Sequence, residues 1–395
     1  MAGNYEIKKV HQSEDFAMLR VPEIEVEGSS IDTISRAVSK KIPQSFIGTY
    51  TKDIGKTFYE VFMRTDLPNL RAIDSDCEKR QNFIDSRFPP NVAAANAVNG
   101  NLIPAIILVI DIGVGDVLLD SDVQYINDIL TWVSNKIYVT PLLIFADEIT
   151  KADRIKFYND FVKRLLENKK TLSSRIRAAA SIPNFYERTK IPEVLSMYDH
   201  ENKSPSFVVV DFERSRITSS KMIGVMNNVR RFFMDGKEDE PKYAIYAFNV
   251  KPYKRGEETP MAEDLGCYIS GISIIGDSYK MSKASNNYAP PAMDLSDLPK
   301  VLNADSYKYT KLDNGKTVSE FKQWYETNTG KQVEGNPNVK APYSKYVRYT
   351  YRFNIYRTGT EISEISRMIK KGESKELRNR IESKDITKAL RGKTF

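Results

Sequence analysis

Between residues 100 and 280 the chain alternates short, almost unbroken apolar runs with stretches whose apolar positions recur at helical spacing. Four of the runs end in a carboxylate or carboxamide: IILVID at Asp111, LLIFADE at Asp147 and Glu148, FVVVDFE at Asp211 and Glu213, and YAIYAFN at Asn249. A strand covered on both faces needs such a run, because neither set of alternating side chains meets water. Between them, residues 121–135 carry Val123, Ile126, Ile129, Leu130 and Val133 on one face. Residues 151–168 do the same with Ile155, Phe157, Phe161, Leu165 and Leu166. Both patterns predict amphipathic helices. Weaker signals predict a strand over 176–182 and a helix near 186–198 entered through or kinked by Pro192. A helix over 219–234, opened by a Thr/Ser pair suited to capping, follows the third strand. A helix over 261–270 and a last strand over 272–275, ending at Gly276 and Asp277, complete the series.

Strands alternating with helices at this spacing predict βαβ units and a mainly parallel sheet. Six units after residue 100, together with N-terminal strands, suit a (β/α)8 TIM-like barrel better than an open sheet of five or six strands. The expected division is a β/α barrel over 1–280, a loop-rich connection over 281–345 and a basic, mainly helical C-terminal extension over 346–395. The first hundred residues look mixed, with strand-like content over 16–26, a polar, turn-rich stretch over 30–45 and a loop around a short helix over 87–101. Residues 280–345 read as long loops with one short helix around 318–325. The segment YVRYTYRF (346–353) interleaves aromatics with arginine and suits either a strand or the start of a helix; 361–371 and 375–390 read as charged helices.

Composition narrows the chemistry. The longest apolar stretch, 102–110, is too short to span a bilayer, and no basic leader with an apolar core opens the chain. The expectation is a cytoplasmic protein with no membrane partner. The two cysteines, Cys77 and Cys267, are read as buried thiols in preference to a disulfide. With His11 and His200 as the only histidines, zinc, haem and a Ser-His-Asp triad all lack material. The expectation is that any catalysis is carboxylate catalysis, with no cofactor. From residue 345 onward 14 Lys/Arg face 6 Asp/Glu, so this segment carries +8 while the preceding residues sum to −1. A basic tail on a near-neutral body points to a polyanion, or else to a solvated helical face.

Nucleotide fingerprints are absent: there is no phosphate-binding G-x-x-x-x-G-K-[ST], and DIGVGD lacks the third glycine and helix start of a dinucleotide turn. Asp111, Asp147, Asp211 and Asp277 remain as candidate active-site carboxylates, since barrel topology gathers strand-end residues on one rim. Two such groups can divide into a nucleophile and an acid/base when their environments separate their pKa values. Each taken singly could equally cap the following helix.

The order of these segments resembles the tRNA-guanine transglycosylases, (β/α) barrels that exchange a base in nucleic acid. ILVIDIGVGD looks like the strand bearing that family's Asp-Ser-Gly-Gly segment, and LLIFADEIT like the strand ending in Asp-Glu-Cys-Thr. ERSRITSSKMIGVMNNVRRF with EPKYAIYAFNV resembles the helix before Pro-Arg-Tyr-Leu-Met-Gly-Val. PMAEDLGCYISGISIIGD is similar to the stretch carrying the nucleophile, and ISEISRMIKKGESKELRNRI to the terminal helices. The likeness covers roughly residues 100–280 and the tail. It implies Asp277 as the nucleophile at C1′, Asp111 as the acid/base and Asp147 as the reader of the purine edge. The chain departs from the pattern in three places: Asp277 falls one residue late after Gly271-Ile272, the Ser-Gly-Gly is missing, and the family's zinc ligands have no counterpart. Asp74, followed by a serine, is a second candidate for the first aspartate, and Gly276 in the nucleophile's place would make a non-catalytic relative.

The expectation is therefore a base-exchange glycosyltransferase that replaces guanine by a deazapurine in tRNA or DNA through a covalent aspartyl intermediate. Asp277 and Asp111 would be catalytic, with Asp147, Glu148, Asp211, Glu213 and Asn249 at the substrate. Arg348, Arg352, Arg357, Lys370, Lys371, Arg378 and Arg380 would meet nucleic acid. Two rivals are a nucleic-acid-binding barrel or partner subunit without catalysis, and an unrelated barrel enzyme on a small phosphorylated or sugar substrate. Homodimerisation is left open.

Overall fold

The computed structural model describes residues 5–16, 18–26, 29–31, 34–39, 44–87, 102–132, 138–172, 178–199, 205–235, 241–254, 256–277, 300–312, 315–334 and 343–391. The expected short helix within 87–101, His200 and much of the 281–345 connection lie outside these residues.

The chain opens with an antiparallel sheet of β1 (Tyr5–Gln12), β2 (Arg20–Val26) and β3 (Ser29–Ile31). Two short segments follow, β4 (Ser35–Arg36) and β5 (Val38–Ser39), then helix α1 (Gln44–Ile54) and the ten-residue strand β6 (Thr57–Asp66). Asp66 ends β6 and caps α2 (Leu67–Asp74) by accepting the Asn69 N–H at 2.8 Å, with Pro68 in the first turn, where its missing donor is harmless. After α3 (Cys77–Arg87) come β7 (Leu102–Ile112), α4 (Asp120–Trp132), β8 (Tyr138–Val139), β9 (Leu142–Phe145) and α5 (Lys151–Leu172). The series continues through β10 (Ala178–Ile182), α6 (Ile191–Ser196), β11 (Phe207–Asp211), α7 (Ser220–Met234), β12 (Ala244–Phe248), α8 (Glu263–Ile269) and β13 (Ile274–Ile275).

The architecture is α/β, built around two sheets in which every ladder is parallel. One has the order β4-β13-β12-β11-β10-β8, the other β5-β6-β7-β9. Their outer members are neighbours in the chain. One residue separates β4 from β5, and two separate β8 from β9.

Alternation along each strand assigns its side chains to two cores. Ile103, Ala105, Ile107 and Val109 of β7, Phe207 and Val209 of β11, and Ala244, Tyr246 and Phe248 of β12 pack together with Tyr5, Ile7, Ile24 and Val26 of the antiparallel sheet. The intervening residues, such as Ile106, Leu108, Val208 and Ile245, pack against helices. Both faces are dry, which is why these strands read as unbroken apolar runs.

The connection after β13 contains more regular structure than its polar composition predicts. Strands β14 (Lys300–Asn303) and β15 (Lys308–Lys311) form a hairpin, and the expected short helix is the fourteen-residue α9 (Lys316–Thr329). YVRYTYRF lies inside α10 (Tyr343–Lys371), a single 29-residue helix, followed by α11 (Ser374–Ile381) and α12 (Asp385–Arg391). A boundary at 346 would cut α10 near its start. Phe353, Ile355, Ile362, Ile365 and Met368 of this helix are buried in the same core as the helix-covered faces of the parallel strands. Gly359 permits that approach: a Cβ there would collide with Ile54 and sit 2.8 Å from the Tyr50 ring. Among the described residues no helix is long and apolar enough to cross a membrane. Both cysteines are free thiols, but Cys77 is exposed on α3 and only Cys267 is buried, which corrects the expectation of two buried thiols.

Candidate active site at the strand ends

Strand β6 puts Phe58, Glu60, Phe62 and Arg64 on one face, since side chains two apart share a side. Phe58 and Phe62 join the apolar cluster shared with the antiparallel sheet, so Glu60 is carried into it and is 1% exposed. Its carboxyl group accepts the Tyr246 hydroxyl and, at 2.8 Å, the backbone N–H of Asp277. Burial, reinforced by the charge of Asp277, pushes Glu60 up to about 8, against the pull of those two hydrogen bonds. Folding therefore favours the neutral acid form of Glu60. Gly276 makes the arrangement sterically possible. A Cβ there would collide with Glu60 Oε1 and lie 2.5 Å from the Phe248 ring.

Asp277 follows β13 and is half-buried. Its Oδ2 accepts from Ser39 Oγ at 2.7 Å and its Oδ1 from the Tyr351 hydroxyl at 3.0 Å. Ser39 comes from β5 and Tyr351 from α10, so three distant parts of the chain fix one carboxylate. Burial raises the Tyr351 phenol above its usual range, and the neighbouring Asp277 adds to the effect. Tyr351 stays a hydrogen-bond donor.

Beside it, Asn249 at the end of β12 is buried with φ +55°. Its Nδ2 donates to Asp211 Oδ1 at 2.7 Å, and the Glu213 N–H reaches the same oxygen at 2.9 Å. Glu213 and Arg214 also adopt left-handed backbone, at φ 45° and 60°, and the Arg214 N–H donates to the Asn249 carbonyl at 2.8 Å. Three non-glycine residues in this region cost about 1 kcal/mol each, and such strain concentrates where side-chain placement matters. Asp211 and Asn249 thus form a fixed polar pair whose backbone adjoins Asp277, the Asn249 N–H lying 3.5 Å from the Asp277 carbonyl.

The other sequence-predicted residues are arranged more loosely. Asp111, on β7, is held by Arg64 through two bonds of 2.6 and 2.8 Å at the partly exposed strand ends. Asp147 and Glu148 are exposed after β9, as is the Glu213 side chain. Asp74 pairs with Arg80 at the end of α2. Of the basic residues, Arg380 forms a two-pronged pair with buried Glu361 at 2.6 and 2.7 Å, Arg357 pairs with Glu320 at 3.0 Å, and Arg378 pairs with Asp15. Arg352 lies over the Tyr349 ring at 5.1 Å, Lys370 is half-buried, and Arg348 and Lys371 are exposed. Arg348 and Arg352 sit three residues before and one after Tyr351, beside the residue that touches Asp277.

Glu60, Ser39, Tyr246 and Tyr351 escaped the sequence reading. A lone glutamate in the apolar run TFYEVFM was the available signal for Glu60; Ser39 carried none. Among the described residues no group of three or more His, Cys, Asp or Glu could hold a metal ion. Comparison with protein-family models and with curated proteins finds no match to this chain.

Proposed function

We propose that the chain is a base-exchange glycosyltransferase acting on guanine in tRNA or DNA, with Asp277 as its nucleophile, on a (β/α)8 barrel. The ladder order supports the barrel. Following β5-β6-β7-β9 into β8-β10-β11-β12-β13-β4 returns to the segment where it began, with eight parallel positions. The observation that carries the chemistry is the Asp277 carboxylate, held by Ser39 and Tyr351 at the end of the last strand. A nucleophile must present a defined oxygen to an electrophilic carbon, and two hydroxyl donors restrict the carboxylate to one orientation.

In this reading Asp277 attacks C1′ of an extruded nucleotide as the C1′–N9 bond breaks, and Asp111, released from Arg64 and protonated on substrate binding, gives its proton to the departing guanine. Asp111 then takes the N9 proton of the incoming deazapurine, whose nitrogen displaces Asp277. Asp147 and Glu148 face the purine edge, and the Asp211–Asn249 pair faces the sugar. Arg348 and Arg352 meet phosphates beside the site, and Lys370 and Lys371 extend the contact.

The test is incorporation of labelled guanine into bulk tRNA and, separately, duplex DNA, beside Asp277→Asn. Label entering one polymer and lost in the variant names the substrate. No incorporation into either, with salt-sensitive nucleic-acid binding intact, leaves a binding protein and overturns the enzymatic reading.

A further inference from the structure

A cavity of about 710 Å³ lies at the ends of the strands opposite to Asp277. It is bounded by β1, the start of β2, the C-terminal part of α7, the residues before β12, the end of α8 and α12. No residue placed in the exchange site lines it. Its volume is that of a site for a small organic ligand.

The wall contains two arginines packed without a counter-ion. Arg20 is 8% exposed, stacks at 4.1 Å on the Tyr243 ring and donates to the Pro241 carbonyl at 2.5 Å. Arg230 donates to the Ser270 carbonyl at 3.2 Å. Among the described residues no carboxylate pairs with either. Burial, and then the charge of Arg20, lower Arg230 to about 10 against the opposing pull of Tyr243. Like charges brought together and dehydrated are unfavourable unless an anion joins them.

Unused hydrogen-bonding capacity lies within the same wall, on residues that line the cavity. Arg20 Nε, Ser270 Oγ and Thr387 Oγ1 are buried with no partner, on residues 8%, 2% and 0% exposed. Native proteins leave few such atoms, and several are gathered in this one wall. Asp15 adds a complementary signal: one carboxylate oxygen is taken by Arg378, while Oδ2 is buried without a partner. An acceptor in a wall that also carries these two cations suits a ligand that has hydroxyl donors as well as negative charge.

We propose that this cavity binds a nucleotide, its phosphates bridging Arg20 and Arg230 and a sugar hydroxyl donating to Asp15. The site is separate from the exchange site and does not depend on that reading.

The experiment is calorimetric titration of the full chain with GMP, GDP, ribose 5-phosphate and inorganic phosphate, repeated with Arg230→Gln and Asp277→Asn. Binding of at least one nucleotide is expected, weakened tenfold or more by Arg230→Gln and unchanged by Asp277→Asn. Arg230→Gln removes a repelling charge, so its unliganded Tm should equal or exceed that of the unaltered chain; this separates lost binding from misfolding. Nucleotide binding lost in Asp277→Asn and kept in Arg230→Gln would overturn the proposal. So would the absence of binding by all four probes. Equal affinity for inorganic phosphate and nucleotides would reduce the site to an anion site and overturn the nucleotide assignment.

Discussion

Glu60 is a carboxylic acid with a hydrogen-bonded, dry environment and an ionised neighbour, and its behaviour with pH follows directly. Its pKa is raised from 4.5 to about 8 on folding, so between these values the folded chain holds a proton that the unfolded chain has released. Stability from this group is full below pH ~4.5 and declines as pH rises toward ~8, by up to a few kcal/mol. Glu60→Gln, neutral throughout, should flatten Tm against pH in that window, and an unchanged slope would refute the assignment. Gly276→Ala tests the same contact sterically. Overpacking of this kind costs about 1–3 kcal/mol, and the variant should also lose exchange activity because Asp277 is the next residue. Asp277→Asn keeps the shape of the site and should abolish exchange with little change in Tm. The candidate aspartates were legible from strand-end position alone. Glu60 was not, because only the pairing of β6 beside β5 and the return of β12 and β13 show what surrounds it.

At the scale of elements, the parallel strands were readable because each is dry on both faces and so unbroken in hydrophobicity. The exceptions are β6, which is interrupted by Glu60 and Arg64, and the two-residue segments β4, β5 and β8, too short to write a pattern. Both interruptions are pairs made across strands, with Tyr246 and with Asp111. Helix α10 was visible only in pieces, since its buried Thr358, Glu361 and Ser366 break the apolar stripe. Each is satisfied: Thr358 by Asp264, Glu361 by Arg380 and Tyr307, Ser366 by the Ile34 N–H. This helix also supplies Tyr351. Tyr351→Phe should slow exchange about tenfold, the effect of one charge-linked hydrogen bond, without a comparable shift in Tm. Ile365→Ala should do the reverse, lowering stability by about 2–5 kcal/mol with kcat preserved in the folded fraction.

For the whole molecule, the basic C-terminal segment divides into cations that hold the fold and cations that face water. Arg380 neutralises Glu361, which is 4% exposed, and its removal would leave a buried charge unpaired. Arg380→Ala should therefore destabilise the protein by about 3–5 kcal/mol, whereas Lys371→Ala should leave Tm within about 0.5 kcal/mol-equivalent of the parent. If Arg348, Arg352 and Lys371 each meet one phosphate, binding to duplex DNA should weaken with salt at a log–log slope of about −3, and each alanine variant should reduce that slope by about one. A slope near zero would remove nucleic acid as a partner.

The sequence by itself determined the α/β class, the run of strands and helices after residue 100 and the strand-end aspartates, because burial on both faces writes a local pattern. The tertiary structure alone decided which carboxylate is held, by whom, and which arginines are spent on internal pairs. Ser39, Glu60, Asp277 and Tyr351 are separated by up to 312 residues, and the hydrogen bonds among them exist only once the strands have taken their order.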